Sequence, residues 1–470
     1  MMKVDSFFKV SVGIGILLTL SGCASVFEDR RILEVETILK EQAAKQIDLP
    51  RPGGIQLLSD EDISNILASP VNLEDAEKLS IWGNPKVQGM LANVGIADAD
   101  YAQAGRMENP GFSYERFSAD DNARSVLFDI GGVLLMPLKR KMEKRRLEQA
   151  QYRAAGDILS HLSKTRNAWF NAVAQKQQTE LLLRALESAE TGNQLTRQMS
   201  ALGHSSVLES AKSELFLSEL RVTLTQQRLV ESEAKEALIT QLGLWGEQAH
   251  DFTVPDRLPK LPDVPIEIAA VEQEAIAGRL DVKMAKLNIQ AMGKNLRLTQ
   301  LNPFLSAIEL GQVNEKAEGE AEKGYEIEFR IPLFDIGDVQ SYKAKAVYEQ
   351  SVAQARTTAI QAASAARLAM QRYQSAYDIA DQYRTHMLPI RERVSKEQML
   401  LYNGMLISVF DLLNDLRSVI EMESNYVNAI RDFWVADTGL QATLAGADAM
   451  DMNFQGSAMN LASGGNGEVH

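Results

Sequence analysis

Strict alternation of apolar and polar residues appears in four short stretches of the chain, and helical spacing of apolar positions governs most of the remainder. In residues 111–117, Phe112 and Tyr114 face one way while Ser113, Glu115 and Phe117 face the other. Residues 125–135 alternate again, with Val126, Phe128 and Ile130 opposite Leu127, Asp129 and Gly131. Phe304, Ser306, Ile308 and Leu310 share a third face. In the fourth stretch Tyr325, Ile327, Phe329 and Ile331 stand opposite Glu326, Glu328 and Arg330. A period of two is the mark of a strand, which predicts strands at about 111–117, 125–136, 303–311 and 325–334. Aromatics on one face and acids on the other suit a membrane barrel with a wet lumen. A soluble hairpin packed on helices would show the same pattern.

The helical runs repeat in the same order as the strands. A helical stretch ends at Asn109-Pro110, two strands follow, and a long Ala/Gln/Arg/Glu-rich run covers residues 139–201. Asn302-Pro303, two more strands and a second long run at 338–401 reproduce that order. The strand pairs are expected to close at Pro137-Leu138 and Pro332-Leu333. Each long run holds about 60 residues, roughly 90 Å of helix, with sparse and often small apolar positions that suit coiled-coil packing. Each is followed by a glycine turn and a returning helix, 208–243 and 408–446, so two helical hairpins are predicted with tips at about 202–208 and 402–409. The fold class is therefore mainly α with a small β part, built by internal duplication. The first repeat spans 72–250 and the second 266–446, joined by a connector at 251–265 that holds Pro255, Pro259, Pro262 and Pro265.

The ends of the chain read differently. Residues 1–22 have a positive start (Lys3, Lys9), a short apolar core and small residues before Cys23, the single cysteine. This is a cleaved export signal, and Leu20-Ser21-Gly22-Cys23 resembles a bacterial lipobox, which makes Cys23 the candidate lipidation site. Residues 23–71 form a polar lead-in, with a helix expected at 27–47. The tail 447–470 is rich in Gly, Asn and Ser and is expected to be disordered. Its Met450, Met452, Met459 and His470 give only a faint metal signal.

The formal charge of −14 disfavours nucleic acid as a partner, because phosphate binding needs a basic footprint. The one basic cluster, residues 139–146, sits at a strand-to-helix junction; it reads as a solvated helix start or as a contact for anionic headgroups. No catalytic, metal or cofactor motif appears: the five histidines are scattered, and HExxH, CxxC, GxSxG and Walker patterns are absent. An enzyme is not expected. The tips are more informative. Gly203 through Leu208 and Tyr402 through Val409 place small and apolar residues at turns on otherwise polar rods, which suits docking. Ordinary capping by Gly and Ser gives the same pattern.

The duplicated order, with Asn109-Pro110 and Asn302-Pro303 before the strand pairs, Pro137-Leu138 and Pro332-Leu333 after them, and the two tip patterns, resembles the TolC-type outer-membrane efflux proteins, in a lipoprotein form. The resemblance implies a homotrimer in which four strands per chain build one 12-stranded outer-membrane barrel, continued by a periplasmic helical tunnel. It also implies partners: a periplasmic adaptor, an inner-membrane pump and outer-membrane lipid. By the same resemblance Asp411 falls at the constriction, with Asn414 where a second acid is usual, and Gly203, Ser206, Gly404 and Ser408 fall at the adaptor-docking tips. A passive exit duct follows, carrying drugs, metal ions or secreted proteins. The alternatives are a periplasmic adaptor, which would carry one hairpin, and a structural coiled-coil lipoprotein, which would have no use for the strands.

Overall fold

The computed structural model describes residues 28–43, 47–51, 58–117, 122–250, 252–305, 308–317, 320–329 and 337–447. Its elements are helices α1 (Glu28–Ala43), α2 (Asp60–Leu67), α3 (Leu73–Trp82) and α4 (Pro85–Gln103), then strands β1 (Gly111–Arg116) and β2 (Asn122–Asp129). Helices α5 (Ile130–Ala201) and α6 (Val207–Leu242), a four-residue helical turn (Glu247–His250), and helices α7 (Val271–Gly278) and α8 (Leu280–Leu305) precede β3 (Ile308–Ala317) and β4 (Glu320–Phe329). Helix α9 (Asp338–Gln382), a π-helical turn (Tyr383–Met387), α10 (Leu388–Asn403) and α11 (Val409–Ala445) complete the order. The signal segment, Cys23, the Pro332-Leu333 strand exit and the Met-containing tail lie outside the described residues. Contacts divide the chain into two units: residues 1–34, 92–151 and 287–351, and the rest.

The first unit contains the sheet, antiparallel throughout in the order β1-β2-β3-β4, so the strand pairs of the two repeats meet at β2 and β3. Facing residues share a side, and the register sorts the faces. On one face Phe112, Val126, Gln312 and Tyr325 form a rung, and Phe128, Leu310 and Ile327 form the next. Tyr325 is 87% exposed and Ile327 70%. The other face carries the rung Glu115, Ala123, Glu315 and Glu322. Like charges directly opposite are tolerated only where water solvates them. Close packing is local: Ser113 and Ser125 hydroxyls meet at 2.8 Å, and a Cβ on Gly311 would lie 3.1 Å from Leu127 Cδ2.

The second strand ends before its alternating pattern does. The second strand is predicted to reach Met136-Pro137-Leu138, yet helix starts at Ile130 and runs through Pro137. The cause is Asp129, whose carboxylate accepts from the Gly132 N–H at 2.7 Å and so satisfies a free donor of the first helical turn. Gly132 permits that approach, since a Cβ there would collide with the same carboxylate. At the other junction α8 continues through Asn302-Pro303 to Leu305, and β3 begins at Ile308 rather than about 303. Pro303 sits in the last turn, where the bond it removes from the carbonyl four residues earlier falls as the helix is already ending. The second long run is also not one α-helix. Pro389 has no amide for the carbonyl four residues earlier, and the backbone widens into the π turn just before it.

In the second unit the prolines of the connector leave carbonyls without backbone partners, and side chains of the helices supply them. Lys176 Nζ donates to Val254 O at 2.7 Å, Trp434 Nε1 to Pro259 O at 3.0 Å, and Tyr377 Oη to Asp263 O at 2.9 Å. Ile266 N donates to Tyr373 Oη at 3.0 Å. Around these bonds Phe170 stacks on Trp434 at 5.6 Å, and Phe433 packs against Tyr373 and Tyr377. This aromatic layer ties α5, α9 and α11 to the connector.

His161, in α5, is 1% exposed; its Nε2 lies 3.2 Å from Ser80 O and its Nδ1 is buried without a partner. Burial pushes the imidazole below its ordinary 6.5; the Ser80 contact opposes this, while Lys86 and Lys164 add to it. Above the ordinary value both folded and unfolded states are neutral. Below it the unfolded chain takes the proton first, so stability falls as pH drops. The expected outcome is a melting temperature of the helical signal that declines below about pH 6.5 in the wild type, and less steeply in His161→Gln. Thermal melts monitored by circular dichroism across that range check it.

Candidate functional site

The two hairpin tips are built by capping. At the first, Gly203 takes the left-handed conformation (φ 77°) that ends α5, and His204 N returns to Met199 O at 2.8 Å. Open space surrounds its Cβ position, so only the backbone angle selects glycine. Ser206 then caps α6, its Oγ accepting from Glu209 N at 3.1 Å while the Glu209 carboxylate accepts from Ser206 N at 3.1 Å. The second tip repeats the device with one difference. Gly404 has φ −80°, and the left-handed residue is Met405 (φ 58°). Ser408 caps α11, and the Asp411 carboxylate accepts from Ser408 N and Oγ, each at 2.8 Å.

Gly203, Ser206, Gly404 and Ser408 do lie at the tips, but the serine hydroxyls and the Glu209 and Asp411 carboxylates serve the turns. What the tips present outward is apolar: Leu202, Val207, Leu208, Leu406 and Met405, the last 93% exposed. Asp411 is exposed on α11, and Asn414 and Ser418 share its exposed face one and two turns on. Asp411 therefore has two tasks, a cap for its own helix and a charge on an open face.

The hairpins pack on each other just behind the tips. Lys212 Nζ lies 5.0 Å from the Phe410 ring and Arg417 Cζ 5.1 Å from Phe216. Leu413 joins an apolar cluster with Leu182, Ala185, Ala189, Phe216, Leu217 and Leu220. A Cβ at Gly192 would sit 2.9 Å from Leu413 Cδ2, so the helices meet closely there. Arg417 bonds Glu219 at 2.6 Å across the hairpins.

The ion pair inside the second hairpin has no signature in the local sequence pattern. Arg391 on α10 pairs with Asp415 on α11, and Ser395 Oγ donates to Asp415 at 2.7 Å. Their side chains are 18% and 9% exposed, while α10 has no buried residue of its own. An acid four residues after Asp411 looks like another solvated charge, and only its inward rotation reveals the partner. Breaking a buried pair strands a charge, at about 3–5 kcal/mol. Asp415→Ala is thus expected to destabilise this hairpin, and Arg391→Leu combined with Asp415→Leu to recover most of the loss. Protease sensitivity and thermal melts of the three proteins check this.

Among the described residues no group of three or more His, Cys, Asp or Glu could hold a metal ion, and no helix is long and apolar enough to cross a membrane. No family model and no curated protein sequence matches the chain. Solved structures do match. A membrane protein from Pseudomonas aeruginosa is 15% identical with a TM-score of 0.67, over 86% of this chain and 99% of that one. The outer membrane protein VceC from Vibrio cholerae is 16% identical with a TM-score of 0.64, covering 80% and 96%. The CmeC outer membrane channel of Campylobacter jejuni is 13% identical with a TM-score of 0.64, covering 87% and 91%. At such identities the likeness is one of architecture: this chain has the fold of the outer-membrane channels, a helical part with two hairpins and a four-stranded antiparallel sheet.

Proposed function

We propose that three copies of this chain form the outer-membrane exit duct of a tripartite efflux system. The copies share one 12-stranded barrel, anchored through lipidated Cys23, and continue into a periplasmic tunnel of helices. The duct is passive; an adaptor docks at the tips and an inner-membrane pump drives transport. The single observation that carries this reading is the sheet. It exposes aromatic and aliphatic residues on one face and acids on the other, and β1 and β4 are both unpaired edges. Open edges are not tolerated in lipid. Pairing β1 of one copy with β4 of the next removes every edge, places the aromatics toward lipid and the acids toward water. Helix α10 supports the same assembly, because Ile390, Met399 and Leu400 are exposed and neighbouring copies would cover them.

The two hairpins with four strands argue against an adaptor, and a structural rod has no use for an amphipathic sheet. At the constriction, Asp411 copies around the axis would form a ring of negative charge that favours cations. Alanine is a poor probe there, because it also removes the cap of α11. Asn keeps an acceptor for Ser408 and removes only the charge. Single-channel recording in planar bilayers is expected to show a cation-preferring pore in the wild type and a reduced preference in Asp411→Asn. A preference unchanged by that substitution would remove Asp411 from the constriction.

A further inference from the structure

The first unit holds a concentration of positive charge that a duct for efflux leaves unused. Six of the eight residues 139–146 are Lys or Arg, in a chain of formal charge −14. Two are matched: Arg146 with Glu143 at 2.7 Å and Arg145 with Glu148 at 2.5 Å. Arg140 lies over the Tyr101 ring at 5.3 Å. Lys139, Lys141 and Lys144 have no carboxylate partner among the described residues. From α8, Lys294 faces the same group. Partial burial, then repulsion from Arg145 and further from Lys141 and Lys144, push its ammonium below the usual lysine range, with Glu148 opposing. Three lysines, Lys141, Lys144 and Lys294, drawn from two helices around the Arg145–Glu148 pair, make a site that favours an anion.

The place of this cluster along the unit says which anion. The two apolar rungs of the sheet account for roughly 14 Å at about 3.4 Å per residue, well short of the ~25 Å lipid-facing band of a membrane barrel. Beyond them the start of α5 is apolar: Val133, Leu134, Leu135, Met136 and Leu138, with Leu134 57% exposed. Those first nine residues of α5 add about 13 Å at 1.5 Å per residue, which completes the band. The cations begin at the next residue. Tyr101 beneath Arg140 and exposed Tyr342 near the start of α9 stand in the same unit, as aromatics do at bilayer interfaces.

We propose that Lys141, Lys144, Arg145 and Lys294 form a cationic collar that binds the phosphodiester of anionic phospholipids in the periplasm-facing leaflet, with the start of α5 in the acyl region above it. This rests on the channel reading, which puts the sheet in the membrane. A headgroup is favoured over free phosphate because the adjoining apolar helix holds acyl chains, and so the plane of phosphates, at the level of the collar. Each lysine acts as a point charge and Arg145 offers a planar fork.

The test uses the purified full-length protein in nanodiscs of phosphatidylglycerol or phosphatidylcholine, with lipid retained after detergent extraction measured by mass spectrometry. The wild type is expected to retain phosphatidylglycerol in preference. Each surface cation is worth about fivefold in partitioning to anionic lipid, so K141Q/K144Q/K294Q is expected to lower the preference on the order of 100-fold. K78Q/K396Q, in the second unit, is expected to keep it, and K141Q/K144Q serves if the triple variant does not fold. No preference in the wild type, or an equal preference in the collar variants, overturns the collar. So does a melting shift given equally by inorganic phosphate, or a changed ion selectivity with lipid preference intact, which would put these lysines in the bore. Heat-sensitive trimers on gels separate the two readings. Trimers without the lipid preference overturn the collar alone, whereas wild-type protein that forms no trimers overturns the channel.

Discussion

Everything in this molecule follows from a sheet with two open edges. Four strands bury neither face and pair neither outer strand, and a backbone N–H or carbonyl left bare in hydrocarbon costs several kcal/mol. Water on both faces would leave Tyr325 and Ile327 exposed without reason, and lipid on both would strand Glu315 beside Glu322. An amphipathic sheet closed by further copies of itself satisfies both faces and both edges. The helices are then constrained in turn, because each strand pair must hand its chain to helices without leaving the circle.

That hand-over is made by ordinary capping chemistry. Asp129 ends β2 and starts α5 in one step, and Ser206 and Ser408 do the same for the returning helices at the tips. The consequence for gating is specific. The acid proposed for the constriction, Asp411, is fixed in direction by two bonds to Ser408, so its charge is held by its own helix rather than by a neighbour. The ion pair that holds the second hairpin together is a different one, Arg391 with Asp415, set on the inward side. The exposed acid proposed to act on ions and the buried acid that holds the hairpin thus reside on different faces of one helix.

Much of this was legible in the sequence. The duplicated order of strands and hairpins, the tips at Gly203 and Ser206 and at Gly404 and Ser408, and the returning helices to within about a residue follow from periodicity and capping residues. The strand ends were not legible, because alternation through Val126, Phe128 and Ile130 continues past the point where Asp129 claims the next backbone amide. Proline misled for a related reason: Pro137 and Pro303 look like strand boundaries, yet both lie within helices. The left-handed residue at the second tip is Met405 although Gly404 stands beside it, which the glycine's position does not signal. Arg391 and Asp415 were invisible because an ion pair 24 positions apart has no local signature.

The central claim is that the barrel is shared between chains. The most direct measurement is the native mass of the detergent-extracted protein, together with its migration on gels before and after heating. A shared barrel predicts three chains in a complex that heat dissociates. A single chain at every temperature would contradict it, because one copy cannot close the sheet.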